Sequence, residues 1–396
     1  LVRNGRDVKG ITRWGFPLDL QSAGFGPDES IPEEELVGEV PYLRMSSVSE
    51  GYGSNPLPDY LRRYEVEAAA RCRKELPILV HAASNFMNGV VVNALSRRFG
   101  IPSIYEVRGL WEVTRLSRQP NWEGSDYFRM QVRMETEACK GAASVIAITS
   151  ALKREMVRRG VEADKITVIP NGVDSSRFVP LERNTDLASQ LGVEKKTVIG
   201  YIGSVVDYEG LPLLVDAVQF LAQKRRDFHL LIVGDGATLN ELKGQTRRLG
   251  LEEWVTFTGR VPHEEVESYY SITDILCYPR KGVEVCEMVS PMKPFEAMAM
   301  EKAVICSNVD ALTEIIKDGQ TGILHKKDDV TDLTMKLSQL IDSETLRKDL
   351  GKNARKWVQS EREWDILGRQ LNDLYKETIA RYFARKGEGS GLRLAV

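Results

Sequence analysis

Along most of the chain, short apolar runs alternate with longer amphipathic stretches, the pattern of strands buried on both faces between helices. The first series predicts helices over 59–74, 89–99, 125–140 and 150–159, with strands over 78–83, 103–107, 144–148 and 165–169. Asp59 is the expected cap of the first helix. A second series has strands at 197–202, 228–233, 255–257, 275–278 and 304–307, and ends in a long helical region, 343–384. Repeated βα units imply parallel sheets. The expected fold class is therefore α/β, with two Rossmann-like, doubly wound parallel-sheet domains and an interdomain cleft.

The polar segment 177–192 lacks sustained periodicity, contains Pro180 and reads as a linker. It separates an expected first domain, 1–180, from a second, 193–365, followed by an amphipathic helix, 366–386, and a Gly-rich tail, 387–396, read as disordered. Residues 15–58 read as irregular and turn-rich. The chain opens without methionine, and 1–13 reads as the end of a helix running into a strand, so a first strand and its loop are expected upstream.

Composition narrows the class. A net charge of −3 over 396 residues gives no reason to expect nucleic acid, and no apolar run approaches the ~20 residues of a membrane-spanning helix. The five cysteines are scattered and odd in number, which fits a reducing, cytoplasmic setting. The four histidines show no metal-ligand spacing.

The richest chemistry lies behind the predicted strand at 275–278, where a loop carries Arg280, Glu287, Ser290, Pro291, Met292, Lys293 and Glu296. Ligands of open α/β sheets bind at the carboxyl ends of the strands. Pro294 suits the first position of a helix, whose free N–H groups and dipole would favour a diphosphate, with Lys293 adding charge and Glu296 accepting from ribose hydroxyls. The competing reading makes Glu287 and Lys293 solvated loop charges and the following helix ordinary core.

Five segments together resemble the retaining GT-B glycosyltransferases of family 4: Val-Ile-Pro-Asn-Gly-Val-Asp at 168–174, Ile-Gly-Tyr-Ile-Gly-Ser at 199–204, Ile-Val-Gly-Asp-Gly at 232–236, Phe-Thr-Gly-Arg-Val at 257–261, and Pro-Phe-Glu-Ala-Met-Ala at 294–299. Tyr-Glu-Gly-Leu at 208–211 and Tyr-Glu-Val-Arg at 105–108 are similar to a bacterial envelope or capsular polysaccharide subgroup. The resemblance implies a GT-B fold with a nucleotide-diphosphate sugar, UDP- or GDP-linked, held by the second domain. A glycan or lipid-linked acceptor is implied on the first domain, and a last helix crossing back onto it. The family's diphosphate clamp of Arg and Lys is replaced by Ser204 and Glu209, and Met288 stands where the first of two paired glutamates belongs, with Glu287 one position early. The family's amino-terminal glycine-rich loop has no counterpart here, as expected if it lies upstream.

On that resemblance the expected activity is a retaining hexosyl transfer by a front-face route, with Lys293, Arg280, Gly203, Ser204 and the N–H groups of Ser290 to Met292 facing the leaving diphosphate. Glu287 would ligate sugar hydroxyls, and Arg260 and Val261 would border the base. No Asp-x-Asp pair occurs, so neither cofactor nor obligatory metal is expected. His81, ending an apolar strand, either orients a sugar or is a hydrogen-bonded structural residue. Arg108 and Glu112 either bind an acceptor phosphate or hydroxyl or pair with each other, while Asn171 and Asp174 read as turn and cap residues. Lys153, Arg154, Arg158 and Arg159, with Arg129 and Arg133, form a basic surface suited to peripheral contact with a membrane or to plain solvation. A catalytically silent relative that binds a nucleotide or a protein is the alternative, ahead of a sugar-nucleotide epimerase or a phosphorylase.

Overall fold

The structure, a computed structural model, describes residues 1–2, 5–17, 32–45 and 56–385; the tail at 387–396 lies outside them. Three short strands, β1 (Gly10–Ile11), β2 (Glu34–Val37) and β3 (Val40–Leu43), form a sheet in the order β1-β3-β2. The stretch read as irregular thus contains a hairpin, and strands of two to four residues are too short for alternation to reveal them. The next helix, Leu57–Glu75, begins two residues before Asp59, behind Pro56, so Asp59 sits in its first turn and is not its cap.

The first parallel sheet contains β4 (Val80–Ala83), β5 (Ser103–Val107), β6 (Ser144–Ala147) and β7 (Ile166–Val168), in that spatial order. One face packs on the helices Phe86–Phe99 and Asp126–Gly141. The other is covered by the last helix, Trp364–Arg385, whose Leu374 is buried against Ile104 and Ile146.

The second sheet has β8 (Thr197–Ile202), β9 (Phe228–Val233), β10 (Val255–Gly259), β11 (Ile275–Tyr278), β12 (Ala303–Ser307) and β13 (Ile323–His325), all parallel, in the order β10-β9-β8-β11-β12-β13. Every residue of β9 and β11 is buried, as expected of strands covered on both faces. Strand order reverses between β8 and β11, and the crevice beyond the carboxyl ends of these two strands is where such sheets take ligands.

The terminal helical region is two helices, Glu344–Glu361 and Trp364–Arg385. Between them the Arg362 carbonyl accepts from the Val173 N–H at 2.9 Å. A Cβ on Gly172 would stand 2.6 Å from that oxygen, so only glycine admits this approach. The hook ends one helix and aims the next at the first domain.

Candidate active site

The loops after β8 and β11 are welded together at the strand reversal. Lys281 donates its N–H to the Tyr208 carbonyl at 3.1 Å, and its ammonium pairs with Asp207 at 2.6 Å. Gly210 adopts a φ of +73° where a Cβ would lie 2.0 Å from the Pro279 carbonyl oxygen, so both conformation and space demand glycine.

Inside this joint Arg280 is 4% exposed and donates to Glu209 from Nε at 3.2 Å and Nη2 at 2.9 Å, and from Nη1 to the Val289 carbonyl at 2.7 Å. Arg280, expected to face a donor phosphate, has its charge matched here by a buried carboxylate. Glu287, expected to ligate a sugar, accepts the Asp310 N–H on one oxygen at 2.7 Å and the Lys327 ammonium on the other at 2.5 Å, both partners in the second domain.

Lys293 and Glu296 do stand together, at the start of the helix Lys293–Ala299. The ammonium lies 3.2 and 3.3 Å from the Glu296 oxygens, and the Tyr270 hydroxyl donates to the same carboxylate at 3.0 Å. Lys293 remains partly exposed while Glu296 is nearly buried. Nearby, Gly203 is half-buried and Ser204 exposed, Pro291 half-buried and Met292 exposed. Arg260 is exposed and Val261 half-buried beyond β10, at the edge of the sheet.

The first domain grips the loop from the opposite side. Thr149 donates to the Met288 carbonyl at 2.5 Å, and Asn171 donates to the Ser290 carbonyl and hydroxyl at 3.1 and 3.3 Å. Asn171 therefore joins the domains and does not simply shape a turn, whereas Asp174 accepts the Ser176 and Arg177 N–H groups as expected. Glu314 reaches from the second domain to accept the N–H groups of Ser150 and Ala151 at 3.0 and 3.2 Å. No local pattern in the sequence announces these contacts, because the partners lie more than a hundred positions apart.

His81 lies under the last helix, with Nδ1 2.6 Å from the Tyr375 hydroxyl and Nε2 3.4 Å from Glu106. Burial raises the Glu106 carboxyl, but the His81 bond and the charges of His81 and Arg108 outweigh it and hold the group below its ordinary value. Arg108 is half exposed beside Glu106 at 3.7 Å, and Trp111 projects into solvent two residues beyond Gly109. Arg108 and Glu112 do not pair. Glu112 is buried and bonds Arg159 at 2.6 Å. On the basic surface Arg154 pairs with Asp310, Arg158 and Arg159 with Glu155, and Arg129 with Asp126, while Lys153 donates to the Ile166 carbonyl. Among the described residues no helix is long and apolar enough to cross a membrane.

Within the first domain, the Tyr105 hydroxyl donates to Glu135 at 2.5 Å. Burial pushes the Glu135 carboxyl from 4.5 up to about 7, while burial of His229 pushes its imidazole from 6.5 down to about 4. Between those limits folded Glu135 holds a proton that the unfolded chain has released, so its contribution to stability falls as pH rises. His229 acts oppositely, since the unfolded chain binds the proton and the folded one does not. Glu135→Gln should therefore make stability rise more steeply with pH across the range from 4.5 to 6.5. Urea midpoints at several pH values test this; an unchanged slope would refute it.

Known proteins resemble this chain in sequence and in fold. Residues 182–357 match the family model described as glycosyl transferases group 1, and residues 20–177 match glycosyltransferase family 4. The chain is 26% identical over 293 residues to the capsular polysaccharide biosynthesis glycosyltransferase CapM of Staphylococcus aureus, covering 72% of each chain. It shares the fold of a sucrose-phosphate synthase from Thermosynechococcus elongatus, with a TM-score of 0.77 and 22% identity over 96% of this chain and 91% of that one. It also superposes on Anabaena HepE bound to UDP-glucose, with a TM-score of 0.69 and 20% identity over 86% of each chain.

Proposed function

We propose that this chain, a GT-B glycosyltransferase of the group 1 and family 4-like kind, moves a sugar from a nucleoside-diphosphate sugar to a glycan or lipid-linked acceptor with retention of configuration, in synthesis of a surface polysaccharide. The observation that carries the donor reading is the Lys293–Glu296 pair beside the reversal of strand order. Lys293 would meet the diphosphate and Glu296 the ribose, with Gly203 and Ser204 lining the β8 side. UDP-glucose in the HepE complex supports a nucleotide-sugar donor, and CapM supports a polysaccharide product.

The acceptor would lie on the first domain, against Arg108 and the exposed Trp111. In the reaction the acceptor oxygen bonds to the anomeric carbon as the bond from that carbon to the β-phosphate oxygen breaks. The hydroxyl proton passes to the leaving phosphate, which departs with the electron pair. Such a step asks the protein for position and for positive charge on the leaving group, not for a carboxylate nucleophile. The reading needs no metal, because cationic side chains supply that charge.

A thermal-shift panel of UDP-, GDP-, TDP- and ADP-sugars tests it. One nucleotide family should raise the melting temperature of the unsubstituted chain, and Glu296→Ala should abolish the rise. A flat response to all four donors would overturn the assignment.

A further inference from the structure

The cations of the two donor loops are already spent on carboxylates: Arg280 on Glu209, Lys281 on Asp207 and Lys293 on Glu296. Lys327, which reaches the same loop, is held by Glu287. Apart from Lys293, which the donor reading turns toward the diphosphate, these cations offer an entering leaving group no net charge. Arg260 is exposed, but it follows β10, two strands and so roughly 10 Å from β8.

One further cation stands at the crevice, and it comes from the other domain. Arg118 follows the helix Trp111–Leu116 and is exposed, and among the described residues no carboxylate lies within ion-pair distance of it. Its guanidinium carbon sits 5.8 Å from the centroid of the Tyr208 ring. Tyr208 occupies the turn beyond Gly203 and Ser204, one residue before Glu209, and the buried Arg280 approaches the same ring at 5.5 Å. Arg118 is thus parked on an aromatic face at the rim of the donor loops, a weak contact that an anion can outbid.

Resting on the donor reading above, we propose that Arg118 is a phosphate-binding residue supplied across the domain boundary. It leaves Tyr208 for the β-phosphate of the nucleoside diphosphate and takes over the charge that Ser204 and Glu209 do not provide. A guanidinium suits the task, because its planar fork matches two phosphate oxygens and it stays charged at every working pH. The charge grows on the β-phosphate as the sugar bond breaks, so the contact strengthens along the reaction. The residue lies on the same segment as Arg108 and Trp111, so donor and acceptor would be engaged by one stretch of the first domain.

Calorimetric titration of UDP, GDP, TDP and ADP, each beside its monophosphate, distinguishes the cases, because only the diphosphates carry the phosphate in question. For the base that binds, Arg118→Ala should weaken the diphosphate about tenfold or more and leave the monophosphate unchanged, and Arg118→Lys should recover part of the loss. A structural role would move both ligands together. Since Arg118 is exposed, the variants should melt with the unsubstituted chain. An unchanged ratio of diphosphate to monophosphate affinity in Arg118→Ala overturns the assignment of Arg118 alone. Failure of every diphosphate to bind the unsubstituted chain overturns the donor reading, and this proposal with it.

Discussion

Lys293→Ala should lower sugar transfer by about two to three orders of magnitude, the size of effect seen when one preorganised donor to a developing negative charge is removed. Folding should survive, because the ammonium is partly exposed and its only ion pair among the described residues is with Glu296, which keeps the Tyr270 hydroxyl as a partner. Lys293→Arg preserves the charge but not the compact ammonium, so partial activity is expected. Steady-state rates with the donor identified by thermal shift, alongside melting curves, provide the check. Full turnover by Lys293→Ala would remove this residue from the reaction.

Glu209→Ala should act on stability. Arg280 would keep its buried charge and lose both bonds to the carboxylate, and breaking a buried pair from one side costs about 3–5 kcal/mol. The joint between the β8 and β11 loops should loosen as well, since Glu209 and Arg280 lie inside it. Replacing both members with apolar residues, as in Glu209→Leu with Arg280→Met, should recover much of the loss, because neither charge is then stranded. Urea unfolding of the single and double variants measures this. A single variant as stable as the unsubstituted chain would contradict the burial of the pair.

The difference between these two residues shows where sequence reasoning carries and where it stops. The long strands were legible because β8, β9 and β11 are predominantly apolar, and parallel βα units follow from their alternation with helices. The proximity of Lys293 and Glu296 was legible because they lie three positions apart, and that spacing places both on one helical face. Arg280 and Glu209 are 71 positions apart, and their pairing depends on which strands become neighbours. His81 and Tyr375 are 294 apart, and Asn171 and Ser290 119, so both contacts were closed to any local pattern. Three-residue β13 and the small amino-terminal sheet escaped for want of length. The break at Arg362 and Glu363 escaped because it is imposed by a carbonyl bond to Val173, not by proline or glycine in the break itself.

The return of the last helix has a consequence for synthesis. Ile104 and Ile146 are fully buried only when Leu374 covers them, and Leu374 lies 228 residues after Ile146. A ribosome adding about 5–20 residues per second makes the first sheet many seconds before its cover emerges. Through that interval the nascent chain carries an apolar sheet face with no partner, while the whole second domain is being produced and can fold behind it. The amino-terminal half is made first and finished last, so a stop codon between the end of the helix Glu344–Glu361 and residue 364 would release both domains with that face bare.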